Sequence, residues 1–383
     1  MKKRFPLLQK KPDVVYLDNA ATTQRHEEGL KALQEYYEEH NANAHRSTHS
    51  LAAQTTKILE DSRDVIAEYV GSTSENTVFT KNATEALNLL AHSLNKENVV
   101  ITDLEHHSNI LPWRKNKYSI KTVNIETEDK NIADNVDDKT DIVSITHMSN
   151  VTGRLLNIKK IVQEIREKNE NVLILIDGCQ ALPHQHINFK ELDIDAYTWS
   201  THKFYAPNGT GVLHMSNRLR KELKPFIVGG GTVTNVTNDE TIYTGKNTMY
   251  EAGTQNPASI YAAAQTIKTL KPRIEKIFQH EKDLQQYTKQ KLNKANIQYY
   301  GHNSKNKEYG PVFSIKTKHH PTDIATILDT YNVCTRTGTH CAQPLLEKIG
   351  VEGTLRLSIG AYNTQKDINT FIHSMKKAQE TLS

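Results

Sequence analysis

The sequence predicts an α/β protein: a mainly parallel, seven-stranded sheet between helices in a large domain, followed by a smaller α/β domain. Two observations carry this reading. From about residue 75, short β-branched runs alternate with helical runs, the pattern of strands joined by covering helices. At 383 residues and 37% hydrophobic content, the chain also exceeds what one core organises, since single cores stop growing near ~250–300 residues.

Taken in order, Glu27–Glu39 and Leu51–Val70 read as helices, and Gly71 stops the second because a left-handed C′ position costs glycine little. The strands are Thr77–Thr80, Asn98–Thr102, Ile120–Ile125, Ile142–His147, Val172–Ile176, Ala196–Ser200 and Gly211–Met215. Between them Ala83–Leu94 and Ile158–Lys168 space apolar residues at helical period. Gly229-Gly230-Gly231 and the Thr/Asn-rich stretch after it read as a long mobile loop. Beyond residue 258 a helical pattern, Ile260–Lys294, is expected to kink near Pro272. It leads to strands Val312–Lys316 and Leu355–Ser358 and helices Thr322–Tyr331 and Lys366–Leu382. The expected division is 16–258 for the large domain, with 1–15 and 259–383 forming the small one.

Composition narrows function. A formal charge of +4 from 48 Lys+Arg and 44 Asp+Glu, with no basic stripe, argues against a nucleic-acid partner. No stretch has the apolar length of a signal peptide or membrane span, so a soluble, cytoplasmic protein is expected. The three cysteines, Cys179, Cys334 and Cys341, form no C-x-x-C pair, so neither a disulfide scaffold nor a cysteine-cluster metal site is implied.

Several segments carry chemistry. Lys203 leaves a strand end in Ser200-Thr-His202-Lys203, where a buried amine is costly unless its charge is removed, as imine formation does. Asp177 ends an apolar strand at the sheet edge where α/β proteins hold ligands; it suits a protonated pyridine nitrogen, or else caps a turn. Lys81-Asn-Ala83-Thr84 opens a helix and is either a phosphate cradle, with Ser200 and His202 as further donors, or an ordinary cap. His106 follows another strand, able to stack on an aromatic ring or shuttle a proton. His45 and His49, at i and i+4, would face one metal if helical, but no third ligand accompanies them, so no metal is expected. Cys341 lies on a glycine-containing loop, with Pro344 suited to the first turn of a helix and Arg336 and His340 nearby; such surroundings favour the thiolate. The inert, buried role suits Cys334 better. Arg356, in a small-domain strand, has the planar fork that suits capture of a carboxylate, or else forms a surface salt bridge.

In this order, from Tyr16-Leu-Asp-Asn-Ala-Ala-Thr22 to Leu355-Arg356…Thr364, the segments resemble fold-type I, class V aminotransferase-family enzymes, specifically the SufS-like cysteine desulfurases. The resemblance implies pyridoxal 5′-phosphate held by Lys203 as an imine, Asp177 at the pyridine nitrogen, Gln180 at the ring oxygen and His106 over the ring face. Thr84, Ser200 and His202 would hold the phosphate. Asn150 and Arg356 would meet the substrate, L-cysteine, alongside Arg336. It further implies a homodimer, with His45, Arg46 and Thr254 reaching the neighbouring subunit's site. Cys341 would take sulfur as a persulfide for a sulfur-acceptor protein. Departures are Cys179 where alanine is usual, Thr339 where many members have histidine, and Ser-Thr-His-Lys203-Phe-Tyr-Ala-Pro-Asn where Gly-His-Lys-x-Tyr-Gly-Pro-Thr is usual. Other readings are a selenocysteine lyase, another C–S lyase or transaminase, a non-catalytic sulfur scaffold on the same fold, and a His/Cys metal protein.

Overall fold

A computed structural model of the chain describes residues 1–383 except Arg46, Ser47, Asp129, Asn303 and Lys305. Its main sheet has seven strands, ordered Thr77–Thr80, Gly211–Met215, Ala196–Ser200, Leu173–Asp177, Ile142–Thr146, Asn98–Thr102, Ser119–Val123. Pairing is parallel throughout except for Gly211–Met215, which runs against both of its neighbours. Strand Leu173–Asp177 shows why the central strands carry apolar runs, here Leu173 through Ile176, without alternation. Leu173 and Leu175 enter the core on one face of the sheet, and Ile174 and Ile176 enter the core on the other. A strand covered on both faces has no solvent side to mark with polar residues.

The covering helices follow the same rule. In Ile158–Lys168 the residues Ile158, Val162 and Ile165 are buried, one stripe at helical spacing. Helix Ser50–Tyr69 ends at Val70, and Gly71 takes φ +68°, the left-handed conformation expected of it. The predicted kink is a real break: helix Pro257–Leu270 gives way to a 3-10 turn, Lys271–Arg273, before helix Ile274–Lys294. Pro272 has no N–H to continue the α-helical ladder.

The smaller unit is a four-stranded antiparallel sheet, ordered Tyr299–Tyr300, Val312–Ile315, Thr354–Ser358, Arg336–Gly338. Helices Pro321–Thr330, Gln365–Leu382 and Ile274–Lys294 cover it. Three expectations need adjusting. Helix Pro257–Leu270 packs on Glu27–Glu35 and Ser50–Tyr69, in the large unit's core rather than the small one's. The opening residues straddle both units, with Phe5 and Leu8 in the large core and Val15 and Leu17 in the small. The Thr/Asn-rich stretch is no open loop but an antiparallel hairpin, Val233–Val236 with Thr241–Tyr243. Its polar threonines and asparagines masked the alternation that marks a half-buried strand, because most of the hairpin is exposed.

Candidate active site

The C-terminal ends of the sheet strands converge on one cavity of about 710 Å³, closed on its other side by the small unit. Ala83, Thr84, His106, Asn150, Asp177, Gln180, Ser200, His202, Lys203, Arg336, His340, Cys341 and Arg356 all line it. Segments more than 250 residues apart in sequence thus meet at the edge where open α/β sheets hold ligands.

Each side chain is placed by its element. Asp177 ends its strand 6% exposed, and its Oδ1 accepts the Cys179 N–H at 3.0 Å. The turn after it lies flat against Tyr197: a Cβ on Gly178 would come within 2.1 Å of that ring, so only glycine fits. Gln180 commits one amide N–H to the Ala20 carbonyl at 2.7 Å. Asn82 caps helix Ala83–Ser93 by accepting the Glu85 N–H, so the capping reading of this segment holds, and the Ala83 N–H meets Ser200 Oγ at 2.9 Å. A hydrogen-bonded row runs from Thr84 Oγ1 to Ser108 Oγ at 2.8 Å and on to His106 Nδ1 at 3.0 Å. His202 Nδ1 is 3.1 Å from Thr22 Oγ1.

Electrostatics keep these imidazoles neutral. Burial, reinforced by the Lys203 charge, holds His106 well below its ordinary pKa, with Asp177 pulling the other way. Burial, then Lys203 and Arg25, lowers His202 to about 4. Glu105, fully buried beside His106, is pushed up to about 7 by desolvation even though it accepts from Thr102 Oγ1, Asn109 Nδ2 and the Thr146 N–H.

On the small-unit side, Arg336 and Arg356 stand directly opposite on neighbouring strands. Asp18 lies between them, accepting from Arg336 Nε at 3.1 Å and from Arg356 Nη2 at 3.3 Å. Arg356 is 2% exposed; its Nη1 donates to the Asn150 carbonyl at 3.0 Å, while its Nε, though buried, has no partner among the described residues. Burial lowers its pKa to about 10, which Asp18 opposes, so it stays charged at neutral pH. Asn150 in turn donates to the His340 carbonyl at 2.7 Å. His340 Nε2 bonds Thr354 Oγ1 at 2.9 Å, and burial first, then Arg356, lowers its pKa to about 3. Cys341 is exposed on its loop, Cys334 is half-buried and Cys179 buried; burial raises the last two thiols.

The cavity does not gather every predicted residue. Thr254 and His45 are exposed and lie outside it, and Arg46 falls outside the described residues. The helical pairing of His45 with His49 is not formed: His45 sits in a left-handed turn at φ +63°, and His49 caps helix Ser50–Tyr69. Among the described residues no group of three His, Cys, Asp or Glu side chains could hold a metal, and no helix is long and apolar enough to cross a membrane. Asp18, His107 and Ser108 carried no role in the sequence reading. Asp18 lies in the Tyr16–Thr22 segment, and only the folded chain brings it to two arginines more than 300 residues away.

Comparison with known proteins places this architecture. Residues 15–371 match the family model of the Aminotransferase class-V proteins. A probable cysteine desulfurase of Vibrio cholerae is 35% identical over 99% of this chain and 98% of its own length. One from Staphylococcus epidermidis is 33% identical over 100% and 96%. The apo structure of a cysteine desulfurase from Thermococcus onnurineus NA1 superposes with a TM-score of 0.92 at 31% identity, covering 99% of this chain and 97% of that one. The chain therefore belongs to the class-V aminotransferase family and, within it, to the cysteine desulfurases.

Proposed function

We propose that the chain takes sulfur from L-cysteine with the help of pyridoxal 5′-phosphate, releases L-alanine and keeps the sulfur as a persulfide on Cys341. The observation that carries this reading is the meeting, in one cavity, of Lys203, the buried Asp177, Arg356 and Cys341.

The cofactor fits the residues present. Lys203 supplies the amine that would hold it, and Asp177 offers a buried carboxylate for a ring N–H⁺. Gln180 retains a second amide N–H, and Thr84, Ser200 and His202 offer hydroxyl and imidazole groups at a helix start for the phosphate. His106 stands neutral beside them. When bound, the cofactor supplies an electron sink for charge developing on the substrate Cα.

The chain's own groups do the rest. Arg356, with its Nε unpartnered, takes the substrate carboxylate, and Asn150 sets the guanidinium plane. The Lys203 amine removes the Cα proton and later returns protons to the product. The Cys341 thiolate attacks the substrate sulfur: an S–S bond forms, and the Cβ–S bond breaks with its electron pair left on carbon. Protonation of that carbon completes alanine, and a reductant or acceptor thiol later removes the sulfur. Thr254 and His45, outside the cavity in one chain, are assigned to the neighbouring site of a homodimer.

Incubation with L-cysteine, without reductant, is expected to add one sulfur mass to the Cys341 peptide with one equivalent of alanine, and alanine formation is expected to continue over many turnovers once a reductant is supplied. Cys341→Ala is expected to lose both. Undiminished alanine formation by that variant would refute the assignment of the nucleophile.

A further inference from the structure

We propose that His107 is the positioning residue for the Cys341 thiol, gripping the cysteine loop at two points and fixing it to the turn that carries His106. The proposal rests on Cys341 being the sulfur-accepting nucleophile.

The loop needs an external hold. His340 and Cys341 both occupy the left-handed region, at φ 53° and 55°. Such a conformation is unfavourable for a non-glycine residue, and here two stand in succession. The short helix that follows, Gln343–Lys348, has Ala342 at its N-cap, a side chain with no oxygen to accept a helix N–H. The loop itself supplies a turn bond from the Ala342 N–H to the Thr339 carbonyl at 2.9 Å, around the two left-handed residues, but no side chain that caps the helix start.

His107 supplies what is missing from across the domain boundary. Its backbone N–H donates to the Cys341 carbonyl at 2.7 Å. Its ring Nε2 accepts the Gln343 N–H at 3.3 Å, serving as the absent cap. The two bonds bracket Cys341 on the same neighbour. Burial first, then Arg114, lowers the ring's pKa and favours the neutral imidazole whose Nε2 can accept. On the other side, Asn150 Nδ2 donates to the His340 carbonyl. The side chains of His106 and Ser108 line the cavity while that of His107 does not, so His107 acts on the loop and not on the substrate.

The test compares His107→Ala with His107→Gln, whose amide oxygen can still accept the Gln343 N–H. Two quantities are measured on the full chain: the rate of Cys341 alkylation by iodoacetamide, followed by peptide mass, and steady-state alanine release. Because a misplaced reacting group loses rate without losing binding, His107→Ala should lower kcat about ten-fold or more with KM near the parent value. Its Cys341 should alkylate at least about three-fold faster as the loop undocks, and His107→Gln should recover most of both. Alkylation of His107→Ala at the parent rate, or a kcat loss that His107→Gln shares, would overturn the proposal. A parent protein that forms no alanine, yet whose Cys341 alkylates faster in His107→Ala, would retain the clamp and reject the sulfur reading instead.

Discussion

Two guanidinium groups directly opposed on adjacent strands repel, and Arg336 and Arg356 tolerate that arrangement because Asp18 accepts from both. The pairing also aims Arg356. With Nη1 on the Asn150 carbonyl and Nη2 on Asp18, the fork is fixed before a substrate arrives, and the unpartnered Nε is one of the donors it still has to offer. A lysine would keep the charge and lose the planar fork. Hydrogen bonds to charged groups contribute about 1.5–3 kcal/mol, so Arg356→Lys should lower kcat/KM for L-cysteine about ten-fold or more, mainly through KM. Steady-state kinetics over a range of cysteine concentrations would show this, and an unchanged KM would remove Arg356 from the carboxylate site.

The turn after strand Asn98–Thr102 is an element held from below. Glu105 ties it to three partners: the Thr102 hydroxyl at 2.5 Å, the Asn109 amide at 2.6 Å and the Thr146 N–H of the neighbouring strand at 3.0 Å. Asn109 cannot reverse its amide, since its oxygen already accepts from Trp113 Nε1 and Ser144 Oγ. In Glu105→Gln a side-chain N–H₂ would therefore confront another donor. One buried unsatisfied group costs about 1–3 kcal/mol, and the urea midpoint at neutral pH should fall accordingly. An unchanged midpoint would mean that the turn is held elsewhere.

The whole molecule buries several histidines in the neutral form, which gives its stability a definite dependence on pH. His214 accepts the Trp199 indole N–H at Nε2 and bonds Thr77 through Nδ1, an arrangement that leaves no lone pair for a second proton. Burial lowers both His214 and His147 from 6.5 to about 3, and His340 likewise. Between these values the unfolded chain binds more protons than the folded one, so stability falls as pH drops below about 6.5 and continues to fall toward 3. Glu105 works in the opposite sense: raised from 4.5 to about 7, its contribution is complete below 4.5 and disappears as pH rises through 7. The three histidines outweigh it on the acid side, and urea unfolding followed at intervals from pH 7 to 4 should show a steady loss of stability. A flat profile would mean that other groups offset them.

The strands and helices that build the large sheet were legible because a strand covered on both faces carries an apolar run without alternation and its connecting helices carry one buried stripe. Leu173–Asp177 and Ile158–Lys168 show both patterns locally. The candidate residues Lys203, Asp177, Arg356 and Cys341 were legible as ordered motifs, since each motif is short and its chemistry depends on residue type. Hidden from the sequence were the hairpin Val233–Tyr243, whose exposed polar residues resemble a loop, and the roles of Asp18 and His107. By itself, then, the order of residues determined the class of fold, through local periodicity, and the family, through its ordered motifs, and it marked the candidate side chains by residue type. Which arginine meets which aspartate, and which histidine grips the cysteine loop, was decided only by tertiary structure, because those contacts join segments hundreds of residues apart that packing alone brings within hydrogen-bonding distance.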